Sequence, residues 1–170
     1  MTTDRWEYLK PKRERIIYRY IQPYLDAITT ALDWECGHSP LAPYLIANGI
    51  SITGFDINAE IIQELRAILP MGAWQEQPSR TFESTESFDL VMWLGLDNPS
   101  TELFLATVDR AAPQIVVIEY APAFQRAKTM ERRLAKMLCR EYARLPQKVF
   151  ICESLAPYDL RYLVVWERIG

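Results

Sequence analysis

Twice between Ala31 and Ile57 a short apolar stretch ends in an aspartate, and a tight loop and a helix-length amphipathic run join the two. Ala31-Leu32-Asp33 leads into Trp34-Glu35-Cys36-Gly37-His38-Ser39-Pro40, and Ile50-Ser51-Ile52-Thr53-Gly54-Phe55 leads into Asp56. A buried strand, a turn at a helix start and a second buried strand form the unit of a doubly wound α/β sheet, which holds a nucleoside-bearing cofactor at the carboxyl ends of its strands. An anionic or amino-acid tail sits over the loop at the helix start, and the acid after the second strand receives ribose hydroxyls. Asp33 and Asp56 are therefore expected side by side at one edge of the sheet.

The remaining pattern extends this unit. Lys12 to Gln22 has helical spacing, with Pro23 ending or kinking the helix. Ser39 and Pro40 have the character of a helix start, and Asn48-Gly49 that of a helix stop. Asn58 is placed to cap a helix whose inner face is Ile61, Ile62, Leu65 and Leu69. A third, weakly marked strand falls near Gly72 to Glu76, and Gln77 to Ser87 is a polar loop. Phe88 to Leu94 and Gln114 to Glu119 are apolar strands, with a helix over Thr101 to Arg110 between them. Phe124 to Arg144 has the period of one long helix, its inner stripe ending at Tyr142. Lys148 to Cys152 and Arg161 to Glu167 are two strands too close for a crossover helix, so the chain closes on an antiparallel hairpin. One domain over 1–170 is expected, a helical segment (1–29) preceding a mainly parallel sheet core (30–170).

Composition narrows the chemistry. Cys36, Cys139 and Cys152 lack metal-ligand spacing and His38 is the single histidine, so no metal site is expected. No apolar run has the length of a membrane span and the start is charged, which points to a cytoplasmic protein without membrane contact. The net charge of −3 is unevenly spread, since Arg66, Arg80 and Arg110 are the only bases between Tyr20 and Ala121. One basic group lies near the start, where Trp6 and Tyr8 stand beside Arg5 and Lys10, and another runs from Arg126 to Lys148. The second is interrupted by Glu131 and Glu141 and has the character of a solvated face, so nucleic acid is not the favoured partner.

The succession of elements resembles the class I, Rossmann-like S-adenosylmethionine (SAM)-dependent methyltransferases, from the helix before Thr30 to Trp166. The resemblance implies a doubly wound, seven-stranded, mainly parallel sheet with an antiparallel C-terminal hairpin. It implies SAM as cofactor. The family's acid and Gly-x-Gly-x-Gly loop correspond to Asp33-Trp34-Glu35-Cys36-Gly37-His38-Ser39, with Glu35 and Ser39 where the first and third glycines stand. By that match Asp33 would lie near the cofactor's ammonium group and Gly37 would let the backbone approach its methionine part. Asp56 corresponds to the ribose-binding acid, Ile57 to the apolar contact with adenine, and Glu76 to a contact with the adenine amino group. Gly95 would lie over the cofactor, and Leu96, Asp97 and Tyr120 would border the substrate.

Glutamate at position 35 adds bulk and charge beside a carboxylate tail, and two like charges ~4 Å apart at an effective dielectric of ~20 repel by about 4 kcal/mol. Asp97-Asn98-Pro99-Ser100 is similar to the Asn/Asp-Pro-Pro-aromatic motif of amino-group methyltransferases, but the second proline and the aromatic are absent, which favours a helix-starting turn. Cys36 and His38 flank Gly37 without a third group to orient them, so ordinary loop side chains are expected rather than a nucleophile and base. The function expected is methyl transfer to an unidentified acceptor recognised by the N-terminal segment, the sheet's edge loops or a partner chain, and a homo-oligomer is a further possible assembly. The alternative is a non-catalytic methyltransferase-like binding or assembly module, for which Glu35 is the best support.

Overall fold

The computed structural model describes residues 13–82, 86–96, 101–123, 125–151 and 160–170, with positions 96, 101 and 126 described by their backbone alone. Among the described residues eight strands form one sheet: β1 (Thr30–Asp33), β2 (Ser51–Asp56), β3 (Ala73–Glu76), β4 (Leu90–Leu96), β5 (Ile115–Tyr120), β6 (Tyr142–Arg144), β7 (Lys148–Ile151) and β8 (Leu160–Arg168). Their order is β3-β2-β1-β4-β5-β8-β6, with β7 also paired to β8. The first five are mutually parallel and β8 runs antiparallel to β5. This is the mainly parallel α/β sheet with an antiparallel C-terminal hairpin that the sequence pattern predicts.

Alternation along the strands builds two cores. Ala31, Leu90, Met92, Ile115, Val117, Leu163 and Val165 face one side, packing with helix α1 (13–21), α2 (Ala42–Ala47) and α3 (Ala59–Ile68). Leu32, Val91, Trp93, Val116, Ile118, Val164 and Trp166 face the other, with α4 (Thr101–Ala111) and α5 (Gln125–Leu138). A period of two with both faces apolar is the signature of a sheet covered on both sides. Near β1 and β2 the second face is closed by aromatic rings: Phe55 stacks on Phe82 with centroids 4.3 Å apart, and Trp34 meets both edge-on. Between β3 and β4 the described residues contain a short 3-10 turn, Ser79–Thr81, within the expected loop.

Three local features differ from expectation. The long helix stops at Leu138, and Tyr142–Arg144 is a strand instead of its last turn. Tyr142 is still buried, its hydroxyl donating to the Pro113 carbonyl at 2.6 Å, so an inward tyrosine at helical spacing is supplied by a strand. β6 and β7 pair with opposite ends of β8, Tyr142 opposite Arg168 and Ile151 opposite Leu160. They behave as one strand broken around Pro146, which has no N–H for the ladder; this makes eight strands of the expected seven. Finally, α2 begins at Ala42 with Pro43 in its first turn, and the Ser39 side chain does not cap it, although the Ser39 carbonyl accepts from the Ala42 N–H at 3.1 Å. Asn58 does cap α3, accepting from the N–H groups of Glu60 and Ile61. Cys152 and the connection between β7 and β8 lie outside the described residues.

Candidate functional site

The strand order reverses between β1 and β4, because β1 leads outward through β2 to β3 whereas β4 leads the other way to β5. Connections leaving such neighbours diverge and open a crevice at the carboxyl ends of the strands. Asp33 ends β1 at this point.

The loop after Asp33 has a distinctive backbone. Glu35 (φ 49°), Gly37 (φ 49°) and Ser39 (φ 46°) are all left-handed. Only glycine adopts that region freely; another residue there costs roughly 1–2 kcal/mol, so the surroundings must compensate. For Ser39 the compensation is visible. Its N–H donates to the Cys36 carbonyl at 2.7 Å, and its buried hydroxyl donates to Asp33 Oδ2 at 2.5 Å. The loop is also tied to the neighbouring strand: the Cys36 N–H donates to the Phe55 carbonyl at 2.9 Å and the Gly37 N–H to Asp56 Oδ2 at 3.0 Å. Asp33, Gly37 and Asp56 thus lie within one hydrogen-bonded unit.

The electrostatics of the acids differ. Asp33 is 1% exposed, and burial pushes its carboxyl up to about 7, against the Ser39 hydrogen bond and Arg13, which favour the charged form. Asp56 accepts one bond on each oxygen, from Gly37 and, at 2.9 Å, from the Asn58 N–H. A carboxylate offers about four lone-pair sites, so each oxygen retains acceptor capacity. The Glu35 carboxyl is pushed up by burial, opposed by a hydrogen bond from Ser79 and assisted by the charge of Asp56. Glu35 therefore reaches from the loop to the turn after β3, beside Asp56.

Space and apolar surface are present as well. A Cβ on Gly37 would meet nothing within 4 Å, so the loop faces open volume there. Ile57 is 73% exposed, an uncovered apolar side chain directly after Asp56. Glu76 is exposed at the end of β3, in register with Asp56. Gly54 serves packing instead: a Cβ there would lie 2.6 Å from the Trp74 ring.

The residues expected to border the substrate stand at the ends of β4 and β5. Gly95 is left-handed (φ 82°) at an irregularity in the β4–β5 pairing, and its N–H donates to Glu119 Oε2 at 2.7 Å. Leu96 continues β4 opposite Tyr120. Tyr120 is 1% exposed and turns towards α5, its hydroxyl donating to Glu131 at 2.6 Å. Asp97 lies outside the described residues.

The sequence reading overlooked Glu119. This fully buried carboxylate is held by two guanidinium groups, Arg161 at 2.5 and 2.9 Å and Arg13 at 3.2 and 2.5 Å. Burial alone would raise its pKa; the two arginines outweigh that and hold it at about 2. The available signal was an acid inside the otherwise apolar run Ile115–Tyr120. Burial and the charges of Asp33 and Asp56 push the Cys36 thiol far up, which disfavours its thiolate. The exposed His38 has its Nδ1 3.6 Å from Glu64. Among the described residues no group of His, Cys, Asp or Glu is arranged to hold a metal, and no helix is long and apolar enough to cross a membrane.

No protein-family model matches the chain, and no curated protein matches its sequence. Solved structures do match in three dimensions. The N-methyltransferase NodS from Bradyrhizobium japonicum WM9, determined with S-adenosyl-L-homocysteine, superimposes with a TM-score of 0.68 at 15% identity, over 94% of this chain and 87% of that one. A TehB-like SAM-dependent methyltransferase from Corynebacterium glutamicum gives 0.65 at 17% identity, over 99% and 100% of the two chains. Magnesium protoporphyrin IX methyltransferase (ChlM) from Synechocystis PCC 6803, with bound SAM, gives 0.65 at 15% identity, over 94% and 79%. At these identities the likeness is one of architecture, and this chain has the Rossmann-like fold of the class I methyltransferases.

Proposed function

We propose that the chain binds SAM at the carboxyl edge of β1 and β2 and transfers its methyl group to an acceptor. The observation that carries this reading is the Gly37–Asp56 unit: a loop hydrogen-bonded to the acid at the next strand's tip, with open volume against Gly37 and the bare Ile57 beside it. The residues fit the cofactor in kind. The free lone pairs of Asp56 suit vicinal ribose hydroxyls, Ile57 suits one face of a purine, and Glu76 is within the same edge to receive an amino group. Asp33 suits a cationic ammonium group, which would draw its buried carboxyl into the charged form.

When bound, SAM supplies an activated methyl group on a sulfonium, and direct displacement requires positioning and exclusion of water more than a proton-transferring pair. This chain's residues accordingly bind and orient. Gly95, Leu96 and Tyr120 stand on the segments that would border the acceptor, with Asp97 next to Leu96 in sequence, and Tyr120 would support that border through α5 rather than by contact. The acceptor's identity rests with residues around this edge or with a partner chain.

A second reading, a methyltransferase-like module without catalysis, is favoured by one observation: the Glu35 side chain bonds to Ser79 and adds a second carboxyl beside Asp56, where an adenosyl group would have to lie. Calorimetric titration with SAM and S-adenosylhomocysteine separates the two. Micromolar binding, weakened at least tenfold in Asp56→Ala, supports the enzyme; no heat and no thermal shift with either ligand supports the module. An Asp56 charge-assisted hydrogen bond contributes about 1.5–3 kcal/mol, so a tenfold loss is the lower bound for removing one.

A further inference from the structure

We infer that the outer face of α5 is a binding surface for the phosphate backbone of a nucleic acid duplex. By sequence alone the basic run from Arg126 to Lys148 is interrupted by acids and has the character of a solvated face. Folding removes those acids from the account. Glu131 accepts from the Tyr120 hydroxyl at 2.6 Å and pairs with Arg144 at 2.5 Å. Glu141 pairs with Arg168 at 3.2 Å, and Glu102 on α4 is chelated by both terminal nitrogens of Arg133. Each acid is thus neutralised by an arginine of its own.

On α5 and the turn that follows it, four cations are left over among the described side chains. Lys128, Arg132, Lys136 and Arg140 have side chains without an ion pair or hydrogen bond among the described residues, and the last three are exposed. Lys128, Arg132 and Lys136 repeat every fourth residue, which stacks them along one side of the helix over ~12 Å. Ala127, Met130, Leu134 and Leu138, buried on the opposite side, fix that stripe outward. Asp109 of α4 is the one acid lining the adjoining α4–α5 groove that has no cation paired to it, so a positive excess remains.

The occupant follows from charge and from what the face lacks. Three cations ~6 Å apart on a rigid rod match a polyanion, and a duplex carries one negative charge per ~1.7 Å of its axis. The outward positions Gln125, Thr129 and Arg133 add no aromatic ring for stacking on unpaired bases and no apolar side chain for insertion into a bilayer. Backbone contact without base readout is what remains. The inference stands apart from methyl transfer and needs no cofactor.

The test is fluorescence anisotropy of the whole chain with a labelled 20-base-pair DNA or RNA duplex between 50 and 200 mM salt. The Lys128→Gln/Arg132→Gln/Lys136→Gln variant should bind at least tenfold more weakly at 100 mM salt. Its log K against log[salt] slope should be shallower by two to three, at about 0.9 per lost contact. A charge-matched control, Arg15→Gln/Arg19→Gln/Lys148→Gln, neutralises exposed cations elsewhere and should lose less than threefold. No duplex binding at 50 mM salt overturns the inference, as does equal weakening in the two variants, which would reduce the effect to net charge. Stripe-dependent retention on phosphatidylserine vesicles without duplex binding also overturns it and assigns the face to a membrane surface.

Discussion

The Ser39 hydroxyl donates to the buried carboxylate of Asp33 across 2.5 Å, and this bond joins the last residue of β1 to the far end of the loop that follows it. Ser39 adopts a left-handed backbone to make it. The bond is the largest influence that opposes burial in setting the charge of Asp33, and burial outweighs it.

A pH dependence follows from Asp33. Its carboxyl lies at about 7 in the folded chain against about 4 when unfolded, so between these values the native state holds a proton that the unfolded state has released. Stability from this group is therefore full below pH 4, declines as pH rises to 7 and is level above, a change of about 4 kcal/mol. Asp33→Asn keeps an acceptor for Ser39 and removes the titration. Its melting temperature relative to the parent should climb between pH 4 and pH 7; a constant offset would disprove the assignment.

Glu119 behaves with the opposite sign. Held at about 2, it is charged in the native state throughout the range where an unfolded glutamate takes up a proton. Its contribution is present above pH 4.5 and lost as pH falls towards 2. Removing one member of a buried ion group leaves the others uncompensated, at about 3–5 kcal/mol. Arg161→Met and Glu119→Gln should each lose that much in urea unfolding at pH 7, and Glu119→Gln should flatten the acid limb. A cost below 1 kcal/mol for both would mean that the cluster is solvated.

At position 35 strain and ligand access point the same way. Glycine there relieves a left-handed residue of roughly 1–2 kcal/mol, which offsets the lost Ser79 hydrogen bond of about 1 kcal/mol. Glu35→Gly should leave stability within about 1 kcal/mol of the parent and bind S-adenosylhomocysteine equally or more tightly. A tenfold weaker titration would show that Glu35 contacts the ligand productively.

Gly54 lies on β2 two residues before Asp56, yet its role is to receive the Trp74 ring. A methyl group there would sit 2.6 and 2.8 Å from the ring and 3.2 Å from the Cys36 side chain. Gly54→Ala should cost about 1–3 kcal/mol through overpacking. Combined with Trp74→Leu, the two changes should cost less than their sum by about 1 kcal/mol. Strict additivity in thermal melts would place the ring elsewhere.

The element pattern was legible because it depends on local periodicity. Short continuous apolar runs along β1, β4, β5 and β8 mark buried strands, and the Asn58 cap and Asn48-Gly49 stop need only their neighbours. The misread segments are those where distant contacts win. Tyr142 has helical spacing after Leu138, but the Pro113 carbonyl draws its hydroxyl into a strand position. Ser39 has the composition of a cap, but the buried Asp33 offers its hydroxyl an ionisable partner in a site shielded from water.

The chain's sequence by itself determined the α/β alternation, the two aspartates at neighbouring strand tips and the closing hairpin, because burial periodicity and turn chemistry act within a few residues. Only the tertiary structure decided which charges remain. It gave Glu119 two arginines from opposite ends of the chain, turned Glu35 to Ser79, and paired away the acids around α5. Pairing is a matter of proximity in space, and Coulomb energy grows as charges approach and as water is excluded between them. Neither quantity is encoded in the order of residues along the chain.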